Sequence, residues 1–138
     1  MSAVPKVEEV VAGVYLVPLG PVNVFLLRGE EEWVLIDAGL PGSAAKILAA
    51  AESLGIRRKE ISTLILTHAH PDHIGAAAAI QKVTGAQVMV HALDAGIVTA
   101  GTGFRPMKTA PGVMNRLVVR PLIRLMASRM KRVEPVRV

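Results

Sequence analysis

Thr67-His68-Ala69-His70-Pro71-Asp72-His73-Ile74-Gly75 holds three of the four histidines in this 138-residue sequence. A carboxylate, Asp72, stands directly before the third. Imidazole nitrogens and a carboxylate oxygen are the ligand set that hydrolytic first-row metals such as zinc favour. In an extended stretch His68 and His70 project to the same side, so both can reach one ion. Pro71 fixes the turn and biases His70 away from helical geometry. Asp72 and His73 then point from a helix start toward a neighbouring spot with room for a second ion. Gly75 removes a side chain where the backbone must pass close by. The competing reading, a solvated histidine-rich loop without a ligand, leaves this density of donors unexplained.

Two elements must position these residues. Ile61 to Thr67 reads as a short, nearly continuous apolar strand, and Ile74 to Val83 is alanine-rich and helix-forming. The histidines therefore lie where a strand ends and a helix begins, the usual place for a site in an α/β sheet. Upstream, Val7 to Pro18 predicts a bent strand or strand pair turning at Gly13, and Val22 to Arg28 a further strand. Gly29-Glu30-Glu31-Glu32 predicts a hairpin turn. Trp33 to Asp37 reads as a strand buried on both faces. A helix runs from Pro41-Gly42-Ser43, with Ser43 as N-cap, to about Leu54, and Gly55 ends it. Arg57-Arg58-Lys59-Glu60 reads as a solvated connection. After the motif helix, Ala86 to His91 predicts a strand and Ala92 to Ala100 a short helix. His91, at that strand's end, reads as a surface or packing residue rather than part of the site's rim. Gly101 to Gly112, with three glycines and two prolines, predicts a flexible loop. This order gives an α/β (α+β) fold, one mixed sheet with helices over one face.

The pattern His-x-His-x-Asp-His after an apolar strand resembles the signature of the metallo-β-lactamase-fold superfamily. Val34-Leu35-Ile36-Asp37-Ala38-Gly39, followed by a helix, a strand and the motif, is similar to that family's N-terminal half. The resemblance covers residues 7–97 well and the tail loosely. It implies half of a four-layer αββα sandwich, with His68 and His70 on a first metal and Asp72 and His73 on a second. Asp72 is then also the candidate catalytic residue. Asp37, which by itself reads equally well as a strand-end turn residue, would orient the motif histidines from behind. One or two zinc ions are implied, with manganese or iron as alternatives.

Composition bounds the rest. The chain suits one domain, 1–138, comprising the 7–97 core and a basic helical tail over 105–138. Apolar residues make up 51% and aromatics 3%, so the core must be built from Val, Leu, Ile and Ala. No cysteine is present, which removes disulfides, thiolate zinc sites and a cysteine nucleophile. That absence weakly favours the cytoplasm. Val10 to Leu27 is free of charge over 18 residues, but its Pro, Gly, Asn and β-branched residues fit paired strands better than a membrane span or a signal peptide. Net charge is uneven: residues 1–104 hold 7 basic and 10 acidic side chains, and residues 105–138 hold 9 and 1. In the tail Arg116, Arg120 and Arg124 recur every four residues. Leu117, Val118, Leu122, Leu125 and Met126 are placed to form an opposite face, and Pro121 should kink or split the helix. Three readings of the tail compete: a substrate-side helical insert, a membrane-surface or partner-binding helix, and nucleic-acid binding. The last is weakest, since no aromatic stacking residue accompanies the arginines.

The family's full pattern includes a third histidine for the first metal, a bridging aspartate and a last histidine. No histidine follows His91, and Glu134 is the sole carboxylate of the tail. Val133 to Val138 reads as the start of another strand, so the sequence is expected to stop within the fold, as a fragment or a frameshifted product. A homodimer or a separate second half would then cover the open sheet face. The expected function is metal-dependent hydrolysis of a small ester, thioester or lactone, glyoxalase II-like in character, with the chain inactive by itself. The alternative is a non-catalytic remnant whose basic tail binds a partner or a membrane surface.

Overall fold

A computed structural model describes residues 4–101, 111–129 and 134–138. Strands β1 (Glu8–Val11) and β2 (Val14–Pro18) form a hairpin, turned at Gly13 by a φ of +79°. β3 (Asn23–Arg28) and β4 (Trp33–Ile36) complete an antiparallel meander, its last turn closed by Gly29 N–H donating to the Glu32 carbonyl at 2.8 Å. β5 (Ile61–Leu66) and β6 (Gln87–Val90) then add in parallel, giving one six-stranded mixed sheet in chain order. Parallel neighbours need a crossover. Helix α1 (Ala44–Ser53) supplies the first, and α2 (Pro71–Ile74) with α3 (Ala77–Thr84) the second.

The core lies between one sheet face and these helices. Val17, Val24, Leu26, Leu35, Leu64, Leu66 and Val88 meet Ile47 and Ala51 of α1 and Ala77 and Ile80 of α3, all effectively removed from water. The opposite face carries Leu16, Phe25, Leu27, Val34, Ile36, Ile65 and Met89, neighbours through the strand registers. These are half-buried, and Met89 is 51% exposed. The expectation that the strand at Trp33 is buried on both faces is thereby corrected: only Leu35 of β4 is buried. Its apolar run reflects two apolar faces, of which the helices cover one.

The motif helix is also not continuous. α2 ends at Ile74 and α3 starts at Ala77, because Gly75 N–H donates to the Gly39 carbonyl at 2.9 Å. Two bonds thus tie the segment to the turn after β4, the other being Ala38 N–H to the His73 carbonyl at 2.7 Å. Ser43 occupies the N-cap position of α1, but its side chain makes no capping bond. Residues 134–138 form no strand; Val136 is buried, its N–H donating to the Val98 carbonyl at 3.2 Å, while Gln81 exchanges bonds with the Arg137 backbone.

α4 (Ala92–Ala100) follows β6. His91 caps it, its Nδ1 accepting from Leu93 N–H at 3.2 Å. The loop expected over 101–112 lies almost wholly outside the described residues. In the tail a π-helical turn, Asn115–Val119, runs directly into α5 (Arg120–Arg129). Of the two outcomes expected of Pro121, a kink or a split, the split does not occur. Lacking an N–H for the turn before it, the proline is accommodated by the wider turn upstream. Val113, Met114, Leu117 and Val118 are each more than half exposed, so this helix stands largely clear of the core.

Candidate metal centre

Asp37 is the anchor of the site. It follows the last residue of β4 with a φ of +62°, in the left-handed region, and is buried. Asp tolerates that conformation better than most residues because its short carboxylate can bond the nearby backbone. Asp37 N–H still continues the ladder to the Ile65 carbonyl at 2.8 Å. The kink turns the carboxylate across the end of β5, where it accepts from Thr67 N–H at 2.8 Å and from the Thr67 hydroxyl at 2.9 and 3.0 Å. It also receives His73 Nδ1 at 2.7 Å.

These contacts place two ring protons. A carboxylate only accepts, so His73 carries a proton on Nδ1 and turns Nε2 toward Asp72. The Thr67 hydroxyl has one hydrogen, directed to Asp37. Its oxygen therefore accepts from His68 Nδ1 at 2.9 Å, and His68 Nε2 is left with a lone pair. Burial first, and then the neighbouring His73 and His70, hold the His68 imidazole below its ordinary range. Its neutral, lone-pair form is thus favoured at neutral pH.

Three imidazoles converge at this strand end. The His68 and His70 rings lie edge to face with centroids 4.5 Å apart, and those of His68 and His73 lie 4.1 Å apart. Asp72 Oδ2 is 3.5 Å from His73 Nε2. His70 Nε2 is buried and has no hydrogen-bond partner among the described residues. A buried polar atom left unpaired is costly, so a water, an ion or a group beyond the described residues would satisfy it. Among the described residues no three such donors already stand in metal-holding geometry. The donor types nevertheless fit a divalent ion: three imidazoles, one carboxylate and, among them, one buried nitrogen without a partner among the described residues.

The structure thus brings together His68, His70, Asp72, His73 and Asp37. His91 stays apart, engaged in capping α4. Sequence reasoning did not single out Thr67, whose hydroxyl joins Asp37 to His68, or Asp94, which is 2% exposed and accepts Ala69 N–H at 3.0 Å. A hydroxyl residue directly before the first histidine was the available signal for Thr67. For Asp94 it was an acid in the first turn of the helix after the strand neighbouring β5. Glycine marks the close approach: a Cβ on Gly75 would lie 2.5 Å from the Leu40 carbonyl carbon and nearer still to Pro41.

Fold and site together define a histidine-rich sheet edge at the end of β5, and likeness to known proteins gives it a family. The chain belongs to the metallo-β-lactamase superfamily, whose sequence model matches residues 17–126. It is 40% identical over 88 residues to the YobT protein of Bacillus subtilis, covering 63% of this chain and 36% of that one. It is 37% identical over 65 residues to the hydroxyacylglutathione hydrolase of Albidiferax ferrireducens, covering 47% of this chain and 23% of the enzyme. Among solved structures, a mutant metallo-β-lactamase from Cronobacter sakazakii superposes with a TM-score of 0.68 at 32% identity, over 71% of this chain and 39% of that one. The chain therefore spans well under half the length of these relatives. Its architecture corresponds to the N-terminal half of the family's sandwich.

Proposed function

We propose that His68, His70, Asp72 and His73 bind one or two divalent ions, zinc foremost with manganese or iron as alternatives. The protein of which these residues are part is then a hydrolase of a small ester, thioester or lactone. The observation that carries this is the convergence of three imidazoles, the buried Nε2 of His70 orphaned among the described residues. Similarity to a hydroxyacylglutathione hydrolase supports the ester and thioester class.

When bound, such an ion supplies Lewis acidity that polarises a carbonyl and acidifies water. The chain's own residues do the rest. Asp37 holds the Nδ1 proton of His73 directly and that of His68 through the Thr67 hydroxyl. Both rings are thereby kept in one tautomer and one orientation. Asp72, its side chain 40% exposed beside His73, is the carboxylate within reach of solvent and is the group here able to take up or hand on a proton.

The donors contributed by these 138 residues are fewer than two closed hydrolytic sites require. The isolated chain should therefore bind metal yet turn over slowly. The test is hydrolysis of a generic thioester and a generic lactone with added zinc or manganese. Activity far below the ordinary range of ~1–10³ s⁻¹ is expected. A rate within that range, lost in His68→Ala, would overturn the slow-turnover part and keep the metal part.

A second reading has its own observation. Val113, Met114, Leu117 and Val118 are exposed on a helix that also carries Arg116, Arg120 and Arg124. Apolar and cationic groups on one solvent-facing helix suit an anionic membrane surface. Sedimentation with phosphatidylserine vesicles, but not with phosphatidylcholine vesicles, would support it. Equal behaviour with both would sink it.

A further inference from the structure

Asp94 is a charged side chain with almost no contact with water, 2% exposed, in the first turn of α4. A buried carboxylate is tolerated only where hydrogen bonds replace its hydration. The helix gives part of the reason for its position, because a negative charge in the first turn is favoured by the helix dipole. It does not explain the direction of reach. Asp94 crosses from α4 to the motif loop, twenty-five residues earlier in the chain, where Oδ2 accepts the backbone N–H of Ala69 at 3.0 Å.

Ala69 is the residue between the two histidines of the His-x-His pair. It is fully buried, so its N–H has no access to water. The loop is therefore held from two sides. Asp37 grips Thr67, one residue before His68, and His73 beyond the turn. Asp94 grips the backbone between His68 and His70. Without that bond the buried Ala69 N–H would lose its acceptor, and any reorientation of its peptide to find another would re-aim His68 relative to His70.

We propose that Asp94 is a positioning residue for the metal centre: through Ala69 N–H it sets the relative orientation of the His68 and His70 rings. This rests on the metal reading given above, and its test separates the two. Two variants are compared with the wild-type 138-residue chain. Asp94→Leu keeps the branched shape and removes the acceptor, whereas Asp94→Asn keeps an oxygen within reach of Ala69. Zinc affinity is read by competition with a chromophoric chelator, and the Ala69 amide by hydrogen exchange on the metal-free chain.

Asp94→Leu should weaken zinc binding by ~10–100-fold, the range seen when an outer partner of a metal ligand is removed. Asp94→Asn should recover most of that loss. In the metal-free Leu variant the Ala69 amide should exchange faster, while core amides such as those of Leu64 and Val88 keep their protection. Unchanged zinc affinity in a folded Asp94→Leu chain would overturn the proposal, and so would an Asn variant no better than Leu. If Asp94→Leu fails to fold, Asp94→Ser, too short to reach Ala69, takes its place: weakened zinc binding supports the proposal and unchanged binding overturns it. If wild-type zinc binding is absent and indifferent to His68→Ala, the metal reading fails. Faster Ala69 exchange in that case would leave Asp94 as the holder of the loop, and unchanged exchange would overturn that as well.

Discussion

The loop from Thr67 to Gly75 and the helix from Val113 to Arg129 are built on opposite terms. In the loop nearly every group is engaged from elsewhere in the fold. Asp37 bonds Thr67 and His73, Asp94 bonds Ala69, and the turn at Ala38 and Gly39 bonds His73 and Gly75. Ala69, Pro71 and Ile74 between them are buried. The tail helix shows the reverse: Leu117 is 68% exposed and Val113 74%. The lesson is where the fold concentrates order. The motif loop is braced from several strands and helices at once, whereas the described part of the tail leaves its apolar groups in the open.

That contrast sets a scale of consequences. The largest should follow His68→Ala or His70→Ala, each removing an imidazole donor. Loss of zinc affinity should exceed the ~10–100-fold typical of an outer partner, read by chelator competition, with His91→Ala as the unaffected control. If His91→Ala cost as much, the loop would have no special standing. Next comes Asp37→Ala, which strips charge-assisted bonds from Thr67 and His73. Urea unfolding should show a loss of ~1.5–3 kcal/mol, with a smaller loss for Asp37→Asn, since Asn also accepts the left-handed backbone.

Gly75→Ala tests the close approach itself. A Cβ there meets the Leu40–Pro41 backbone, and forced overpacking costs ~1–3 kcal/mol. Full stability in this variant would show that the crossing of the two turns is looser than described. Smallest of all should be Leu117→Ser, on the exposed side of the tail. Its effect on unfolding should stay within about ±0.5 kcal/mol. A large loss would mean that the tail is braced after all, and the comparison would collapse from the other side.

Much of this was legible in the sequence, for reasons that can be named. The β-branched runs at Val14, Val24 and Val34 and the Gly/Glu turns pointed to the meander. The spacing from His68 to His73 pointed to residues that do converge at the end of β5, because short-range spacing on one loop fixes which side chains can meet. The resemblance to the family supplied the sandwich half. Three features were hidden because they depend on long-range partners. The break at Gly75 arises from a bond to Gly39, thirty-six residues away, which local helix propensity does not register. The half-open burial of β4 depends on which faces the helices cover, and an apolar run looks the same in either case. Asp94 looks like an ordinary first-turn acid until β6 is set beside β5, which brings α4 over the motif loop.

At the centre of the proposed site, Asp37 and Thr67 hold a proton on Nδ1 of His73 and of His68, so that Nε2 of each is the nitrogen proposed to meet an ion. Imidazole ¹⁵N NMR on the labelled chain, before and after addition of zinc, tests this directly. Protonated Nδ1 and bare Nε2 are expected on His68 and His73 in the metal-free chain. Zinc should then shift the Nε2 signals of both, together with one nitrogen of His70, and leave His91 in place. The opposite tautomer on His73, or motif signals that stay still while only His91 responds, would contradict it.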